Sequence, residues 1–293
     1  MSEKNKEIMR HALIITAYKD VEMLNSIIKA TPGDYGIFVH IDKKSSIRLN
    51  EINSRAKIFS WKKVYWGGWE HLYVIVELLR EAIKDSRNFD YFHIITGSDF
   101  YSINPSNFDS IIGNTNSNYL NIFKLPNEEW GWGYGLNIYK YKSIASYCDI
   151  RKQPYWFIHR LYLKFQEVFL KKNMPSFPLY GGSVYCSLHS SFVSYLLNDA
   201  FAKNLFEYLK HHLCAEEIYF QTVIMNSPFS KKVVSSNLRY IDWSLKTIPK
   251  TLDENDVEKI CGSKTLFARK FDLSVSKELI DALTNKLGIK ESK

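Results

Sequence analysis

Several common marks of cofactor and metal chemistry are missing from the 293-residue sequence. It contains no Gly-x-Gly-x-x-Gly segment, no phosphate-loop signature, no Gly-x-Ser-x-Gly elbow and no His-Glu-x-x-His helix. These absences exclude the standard forms of several nucleotide-binding, hydrolase and zinc protease sites. The sequence also contains no Asp-x-Asp pair, a common way to hold a divalent metal on a diphosphate. Cationic side chains would have to neutralise a bound diphosphate, and we expect neither a metal nor another cofactor.

Paired cysteines and long apolar runs are missing as well. The four cysteines lie far apart and form no Cys-x-x-Cys pair, so we expect neither a zinc site nor a disulfide framework. No apolar run approaches the length needed to span a bilayer, and the first ten residues are polar and charged. The sequence therefore predicts a cytoplasmic protein, soluble or attached peripherally to the inner face of the plasma membrane.

Positive charge is in excess but is not concentrated in one segment. The net charge is +8, which favours anionic partners such as phosphorylated ligands, acidic lipid headgroups or nucleic acid. The excess lies in dispersed residues and short lysine pairs, whereas a nucleic-acid-binding arm would need a cluster. The pattern is compatible with a diphosphate pocket and contact with an anionic membrane, and it predicts no nucleic-acid partner.

Apolar patterning predicts an α/β fold. Short apolar runs at residues 11–17, 36–42 and 91–96 are typical of buried parallel strands. Amphipathic patterns predict helices at 21–30 and 69–84. Strand, helix and strand make a βαβ unit, which places ligands outside the carboxyl ends of its strands. Later segments predict helices at 154–172, 192–210, 215–225 and 274–287, and strands at 183–188 and 237–243.

Polar residues follow two of the predicted strands. His40, Asp42 and Lys43 lie at the end of the second strand, and Asp99 follows the third after a Gly-Ser pair. These residues either pack and cap the strand ends or take part in nucleotide recognition, because ligands favour that edge of the sheet. The residues alone leave both interpretations open.

Two charged sets have chemistry suited to group transfer. Glu216 and Glu217 open a predicted helix, where acids commonly complement the helix dipole. A carboxylate can equally deprotonate a sugar hydroxyl, and composition does not decide between these roles. Arg239 and Lys270 lie beside strand-like segments and could neutralise a diphosphate, although their chemistry alone favours ordinary surface charge.

Two aromatic segments also have open interpretations. Glu128, Glu129, Trp130 and Trp132 lie in a predicted loop, where the indoles either fill the core or bind carbohydrate beside the carboxylates. Residues 154–172 combine aromatic and basic side chains in a helical pattern. This segment is either an interfacial amphipathic helix or a core helix whose lysines reach out to solvent.

Several motifs, taken together and in order, resemble one family. They include His-Ala-Leu-Ile-Ile-Thr-Ala-Tyr-Lys from residue 11 and Val-His-Ile-Asp-Lys-Lys-Ser from residue 39. Further motifs follow at residues 64–69, 96–100, 182–185, 216–222, 237–243 and 266–272. This set resembles the Core-2/I-branching enzymes, glycosyltransferase family 14, which also includes peptide O-xylosyltransferases and many bacterial members. The resemblance runs from about residue 11 to residue 272.

The resemblance implies a fold and a reaction. The fold is a GT-A-like α/β fold with a Rossmann-like nucleotide-binding half, as one catalytic domain over residues 1–293. Within it we expect a nucleotide-binding half at about 11–120, an acceptor and catalytic half at about 121–272 and a C-terminal helix at 273–293. The reaction is an inverting transfer from a UDP-sugar, which family members perform without a divalent metal.

The resemblance also implies roles for particular residues. Glu217 matches the catalytic base of a Pro-Asp-Glu motif, which reads Ala-Glu-Glu here, so Glu216 replaces the aspartate. Arg239 and Lys270 match the diphosphate-binding cations. The other expected nucleotide-site residues are His40, Asp42, Lys43, Ser98 and Asp99. The expected substrate-binding residues are Glu128, Glu129, Trp130, Trp132, Gly182, Ser183, Tyr185 and Glu216.

Differences from the animal members of the family lead to the expectations for source, acceptor and donor. Animal members are Golgi proteins with a membrane anchor and disulfides, and the sequence shows neither. It therefore resembles a bacterial member in surface-polysaccharide assembly, with a glycan acceptor linked to a lipid diphosphate. The expected donor carries N-acetylglucosamine, xylose, or galactose in its pyranose or furanose form. The alternative is a non-catalytic protein that binds carbohydrate or a membrane surface.

Overall fold

A computed structural model describes residues 8–113, 115–170, 174–246 and 248–292. The strands in these residues are β1 (His11–Ala17), β2 (Gly36–Ile41), β3 (Lys57–Phe59), β4 (Tyr91–Thr96), β5 (Asp99–Tyr101), β6 (Asn118–Leu120), β7 (Phe123–Lys124), β8 (Tyr180–Gly181), β9 (Cys186–His189), β10 (Val233–Val234), β11 (Arg239–Ile241) and β12 (Phe267–Arg269). The α-helices are α1 (Val21–Ala30), α2 (Glu70–Ile83), α3 (Phe108–Ile112), α4 (Gly131–Tyr134), α5 (Leu136–Lys140), α6 (Tyr155–Phe169), α7 (Ser190–Asn198), α8 (Ala200–Tyr208), α9 (Glu216–Met225), α10 (Val257–Cys261) and α11 (Leu273–Lys286).

The main sheet has seven strands in the order β10-β6-β9-β4-β1-β2-β3. Strands β1 to β4 run parallel, and β9 runs antiparallel to β4 and β6. The chain proceeds from β1 to β2 on one side, and β4 lies on the other side. This arrangement makes the carboxyl ends of β1 and β4 a topological switch point, where open α/β sheets leave a crevice for ligands.

The apolar character of the central strands follows from burial on both faces. Every residue of β2 is buried, as are most of those in β1 and β4. One face is covered by the apolar sides of α2, α7 and α9, and the other by α1 and α11. The three short apolar runs thus predict their strands correctly because water is excluded from both sides of each strand.

A second, three-stranded sheet ties late segments of the chain to an early one. Its order is β11-β12-β5, with β12 antiparallel to β5 and parallel to β11. The seven-stranded sheet likewise contains β9 and β10 beside the strands of the expected nucleotide-binding half. Strands from both expected halves therefore share sheets.

Helix α6 is shorter in the described residues than the predicted helix at 154–172, and it is not buried in the core. It ends at Phe169, while Lys171 and Lys172 of the predicted segment lie outside the described residues. Only His159 and Gln166 of this helix are buried, so the interpretation as a core helix is wrong. Among the described residues, no helix combines the length and apolar character needed to cross a membrane.

Candidate active site

A cleft of about 850 Å³ opens at the switch point of the main sheet. The ends of β1 and β4 form its floor, with Thr16, Thr96 and the residues that follow them. The first turn of α9 contributes Glu216 and Glu217 to its lining, and the chain at the end of β12 contributes Arg269 and Lys270. The lining also includes segments 64–67, 149–151 and 182–185, which are joined in space only by the fold.

Glu217 lines this cleft from the first turn of α9. Burial and the negative charge of neighbouring Glu216 raise the pKa of Glu217 to about 8. A carboxylate with a raised pKa holds a proton more strongly than an ordinary one, which suits a general base. The structure therefore gives the expected base a position and an environment compatible with proton abstraction.

Glu216 faces a different environment, although it also lines the cleft. It is buried, and its Oε1 atom lies 3.0 Å from Nδ1 of His71 at the start of α2. The other imidazole nitrogen, Nε2, lies 3.3 Å from Oγ1 of Thr16 at the end of β1. His71 therefore links the strand end at the crevice to the helix that carries Glu217.

The segment at residues 180–183 fits tightly against α9. The Gly182 N–H donates to the carbonyl oxygen of Glu217 at 2.9 Å, and the Gln221 side chain donates to the Ser183 carbonyl at 2.8 Å. A Cβ atom on Gly182 would lie 1.9 Å from the carbonyl oxygen of Asn121. Only glycine fits at this position, because a side chain would collide with backbone. Both Gly182 and Ser183 line the cleft as expected.

Two adjacent cations reach the cleft from the end of β12. Lys270 lines it as expected, and burial lowers the pKa of Lys270, an effect reinforced by the nearby cations Lys19 and Arg269. Arg269 is 8% exposed, and its guanidinium lies over the ring of Tyr185, 3.7 Å from the centroid. The Nε and Nη1 atoms of Arg269 make no hydrogen bond within the described residues. Such donors are suited to an anionic ligand.

Arg239, which was expected to bind the diphosphate, does not line the cleft. It is buried outside the cleft, with its guanidinium 4.6 Å from the centroid of the Phe267 ring. Its Nη1 donates to the carbonyl of Asn237 at 2.6 Å, and its Nη2 to that of Cys186 at 2.9 Å. The prediction that Arg239 binds diphosphate is therefore not supported by the structure, because this side chain already satisfies backbone carbonyls. Of the two arginines on the paired strands β11 and β12, Arg269 is the one that reaches the cleft.

At the end of β2, the structure brings two of three predicted residues to the cleft. His40 and Asp42 line it, whereas Lys43 is exposed outside it and Lys44 lies there instead. Nε2 of His40 accepts the backbone N–H of Trp61 at 3.2 Å, and burial lowers the pKa of His40 to about 4. His40 is thus neutral at pH 7 and holds the neighbouring strand. Asp42 accepts the backbone N–H of Lys44 and pairs with its ammonium group.

At the end of β4, Ser98 lines the cleft but Asp99 does not. Asp99 is fully buried, and its Oδ2 accepts hydrogen bonds from the backbone N–H and the hydroxyl of Thr96. Its Oδ1 lies 3.6 Å from Nη1 of Arg269. The expected donor-site role of Asp99 is therefore indirect in this structure, because the carboxylate supports Arg269 rather than facing the cleft.

The predicted acceptor loop is divided between cleft and solvent. Glu129 and Trp130 line the cleft, and the Trp130 ring packs edge-on against Phe123 at 4.9 Å between centroids. Glu128 is exposed away from the cleft. The backbone of Trp132 lies in α4, but its side chain is outside the described residues. Tyr185, also expected, lines the cleft beneath Arg269.

Cleft residues that the sequence did not single out include Lys44, His71 and Arg269. Lys44 and Arg269 each lie next to a predicted residue, so the motif was found but the side chain facing the cleft was not. His71 follows the Gly-Gly-Trp segment at the start of a predicted helix. Once that segment is known to line the cleft, a histidine at the start of the following helix indicates a cleft residue.

Comparisons with known proteins agree with this arrangement. A family model described as Core-2/I-Branching enzyme matches residues 12–271. Xylosyltransferase 2 of Rattus norvegicus is 22% identical over 302 residues, covering 92% of this chain and 33% of the rat protein. Xylosyltransferase 1 of Mus musculus is 23% identical over 286 residues, covering 87% of this chain and 28% of its own length. The chain thus spans about a third of the length of these relatives.

Solved structures provide a more distant comparison. The apo crystal structure of mouse xyloside xylosyltransferase 1 has a TM-score of 0.36 and 9% identity, covering 88% of this chain and 96% of that chain. The family match, by contrast, extends over nearly the whole described chain and includes every strand of the cleft. The predicted GT-A-like α/β fold is confirmed by this match together with the mixed sheet. The chain belongs to the Core-2/I-branching enzyme family of glycosyltransferases.

Proposed function

We propose that this chain transfers a sugar from a UDP-sugar to a hydroxyl group of a glycan acceptor, with inversion at the anomeric carbon. The observation that carries the proposal is Glu217, a carboxylate of raised pKa in the same cleft as the cations Arg269 and Lys270. A base and a site for an anionic leaving group are the two requirements of a direct displacement. A non-catalytic carbohydrate-binding protein requires neither.

In this reaction Glu217 removes the proton from the acceptor hydroxyl as its oxygen attacks the anomeric carbon. The bond from that carbon to the diphosphate oxygen breaks on the opposite face, and UDP leaves with the electron pair. Arg269 and Lys270 stabilise the charge that develops on the diphosphate, in the place that a divalent metal takes elsewhere. Asp99 keeps the guanidinium of Arg269 oriented.

Glu216 supports this step without contacting the reacting atoms. Its charge raises the pKa of Glu217, and its hydrogen bond to His71 holds the start of α9 near the end of β1. The longer side chain that replaces the family's aspartate is accommodated by this histidine. Gly182 and Ser183 complete the wall that faces the base.

The proposed donor carries xylose, N-acetylglucosamine, or galactose in either ring form. The relatives named xylosyltransferases make UDP-xylose the first donor to test. The proposed acceptor is a glycan linked to a lipid diphosphate at the cytoplasmic face of a bacterial membrane, in surface-polysaccharide synthesis. The excess of positive charge supports an acceptor and a surface that are both anionic.

A thermal-shift screen with UDP and a panel of UDP-sugars tests the donor class. A ligand that binds only the native state raises the melting temperature, so UDP should stabilise the protein and the true donor should give transfer. Glu217→Gln should lower transfer by roughly 10²–10⁴-fold and leave the UDP-induced shift nearly unchanged. Substantial transfer by Glu217→Gln would remove this residue from the role of base. Sugar binding without any effect of UDP would favour the non-catalytic alternative.

A further inference from the structure

Helix α6 exposes its apolar side chains instead of burying them. Nearly every residue of this fifteen-residue helix is exposed or half-buried, and the two buried ones are polar. A helix at the surface of a globular protein normally turns its apolar face toward the core. Helix α6 therefore buries only polar side chains and leaves its apolar ones exposed or half-buried, the reverse of the usual arrangement.

Hydrogen bonds between polar groups attach α6 to the rest of the molecule. Nε2 of His159 lies 3.0 Å from the hydroxyl of Ser143. The Gln166 side chain accepts from the backbone N–H of Lys142 at 3.0 Å and donates to its carbonyl at 2.8 Å. These contacts fix the inner face of the helix without using the aromatic residues, which are left free for another partner.

The outer face of α6 is a continuous apolar stripe. Phe157, Leu161, Phe165 and Val168 recur every three or four residues, so they lie along one side of the helix. Each is between 52% and 64% exposed, and Phe169, whose ring lies 4.9 Å from that of Phe165, is 68% exposed. A helix of this length extends for roughly 22 Å, which is long enough to present the stripe to an extended surface.

Positive charge flanks the stripe. Arg160 and Lys164 are exposed on the same helix, and the guanidinium of Arg160 lies over the Trp156 ring, 4.8 Å from its centroid. Glu167 is the one acidic residue within α6. Aromatic and aliphatic side chains flanked by Arg and Lys are the composition of helices that lie in a membrane interface.

We propose that α6 docks this protein onto an anionic lipid surface, with its apolar stripe among the acyl chains and its cations at the headgroups. The charge of α6 favours a lipid surface over a second copy of the chain as the partner of the stripe. Two α6 helices packed stripe to stripe would bring four cations together with two acids, whereas anionic headgroups complement Arg160 and Lys164. The overall charge of +8 acts in the same direction.

Helix α6 begins close to the cleft in the chain. Arg151 lines the cleft, with its guanidinium 5.6 Å from the centroid of the Trp66 ring, and α6 begins at Tyr155. Four chain steps span at most roughly 14 Å, so the docked helix starts beside the cleft. On the proposed function, a lipid-linked acceptor is then presented where Glu217 acts.

Co-sedimentation with vesicles tests the proposal. We expect the protein to bind vesicles of phosphatidylglycerol and phosphatidylcholine more strongly than vesicles of phosphatidylcholine alone. The double variant Phe157→Ser/Phe165→Ser should lower the partition coefficient by about tenfold or more. The double variant Arg160→Gln/Lys164→Gln should remove about tenfold or more of the preference for the anionic vesicles. Val275→Ser, at an exposed apolar position on α11, is the matched control and should change neither.

Two further measurements make the result decisive. The UDP-induced thermal shift should be the same in the α6 variants as in the parent, which shows that they fold. Absence of vesicle binding by the parent would overturn the proposal. Concentration-dependent self-association that Phe157→Ser/Phe165→Ser abolishes, without vesicle binding, would also overturn it and assign the stripe to a protein interface. Vesicle binding without any UDP effect would retain the docking surface and count against the proposed transferase.

Discussion

Glu216 and Glu217 are adjacent in the sequence but differ in their surroundings. Glu216 is buried against His71, whereas Glu217 faces the cleft and has the raised pKa. Both residues lie in the first turn of α9, where acids complement the helix dipole. This role is compatible with a catalytic role for one of them. Residue-scale geometry thus separates the proposed base from the neighbour that raises its pKa.

The pH dependence of transfer should report Glu217. A base works when deprotonated, so kcat/KM should rise with pH and level off above an apparent pKa near 8. Glu216→Gln should move this rise to lower pH, because a negative neighbour that raises the pKa of Glu217 has been removed. Glu128→Gln, at an exposed acid outside the cleft, is the matched control. An unchanged profile in Glu216→Gln would contradict the coupling.

Substitution of Arg269 and substitution of Arg239 should have different effects, the first on UDP binding and the second on stability. Arg269→Gln should weaken UDP binding by roughly 10–100-fold, because a charge-assisted hydrogen bond contributes about 1.5–3 kcal/mol. Arg239→Gln should instead lower the free energy of unfolding by roughly 3 kcal/mol, since it leaves buried carbonyls without their donor. Calorimetric titration with UDP and urea unfolding measure the two effects. Weak UDP binding by a fully stable Arg239→Gln protein would restore the original sequence-based assignment.

At the scale of elements, the most constrained contact is between the 180–183 segment and α9. The Thr222 hydroxyl on α9 accepts the Tyr180 N–H and donates to the Tyr180 carbonyl, both at 3.0 Å. Gly182 extends the contact to the carbonyl of Glu217. The wall of the cleft and the helix of the base are therefore one packed unit.

Gly182→Ala should damage both stability and catalysis. The added methyl group would meet the Asn121 carbonyl at 1.9 Å, so the backbone must shift at the residue whose N–H donates to the Glu217 carbonyl. We expect a lower melting temperature and a loss of transfer of at least about tenfold, since misplaced catalytic groups are costly. Gly33→Ala, with no atom within 4 Å of its added methyl group, should be close to neutral. Equal activity of the two variants would show that the wall can relax.

The sequence predicts elements well where the signal is local. The buried strands β1, β2 and β4 and the helices α1, α2 and α9 coincide with their predicted segments to within a residue or two. Strands of two or three residues, such as β3, β6 and β10, escape prediction because they are too short for an apolar pattern to be recognised. Lys44 lines the cleft where Lys43 was predicted, and Arg269 lines it where Arg239 was predicted. Which of these side chains faces the cleft is set by tertiary contacts.

At the scale of the whole molecule, the proposed function assigns neutralisation of the diphosphate to positive charge rather than to a divalent metal. The described residues contain no group of three or more His, Cys, Asp or Glu side chains placed to hold a metal ion, and the sequence has no Asp-x-Asp pair. If Arg269 and Lys270 supply the neutralisation as proposed, transfer should persist at full rate in EDTA. Assays with EDTA and with added manganese check this. A strict requirement for manganese would contradict the proposal.

Strand β12 has a consequence for how the enzyme is made. It pairs with β11 on one side and β5 on the other, and its end brings Arg269 and Lys270 to a cleft whose floor begins with β1. During translation the first strand leaves the ribosome long before the last. Under the proposed function, a nascent chain has Glu217 on α9 but not the two cations that bind the diphosphate. Donor binding would then wait until β12 is inserted, and the nucleotide would recognise only a chain whose synthesis has passed this strand.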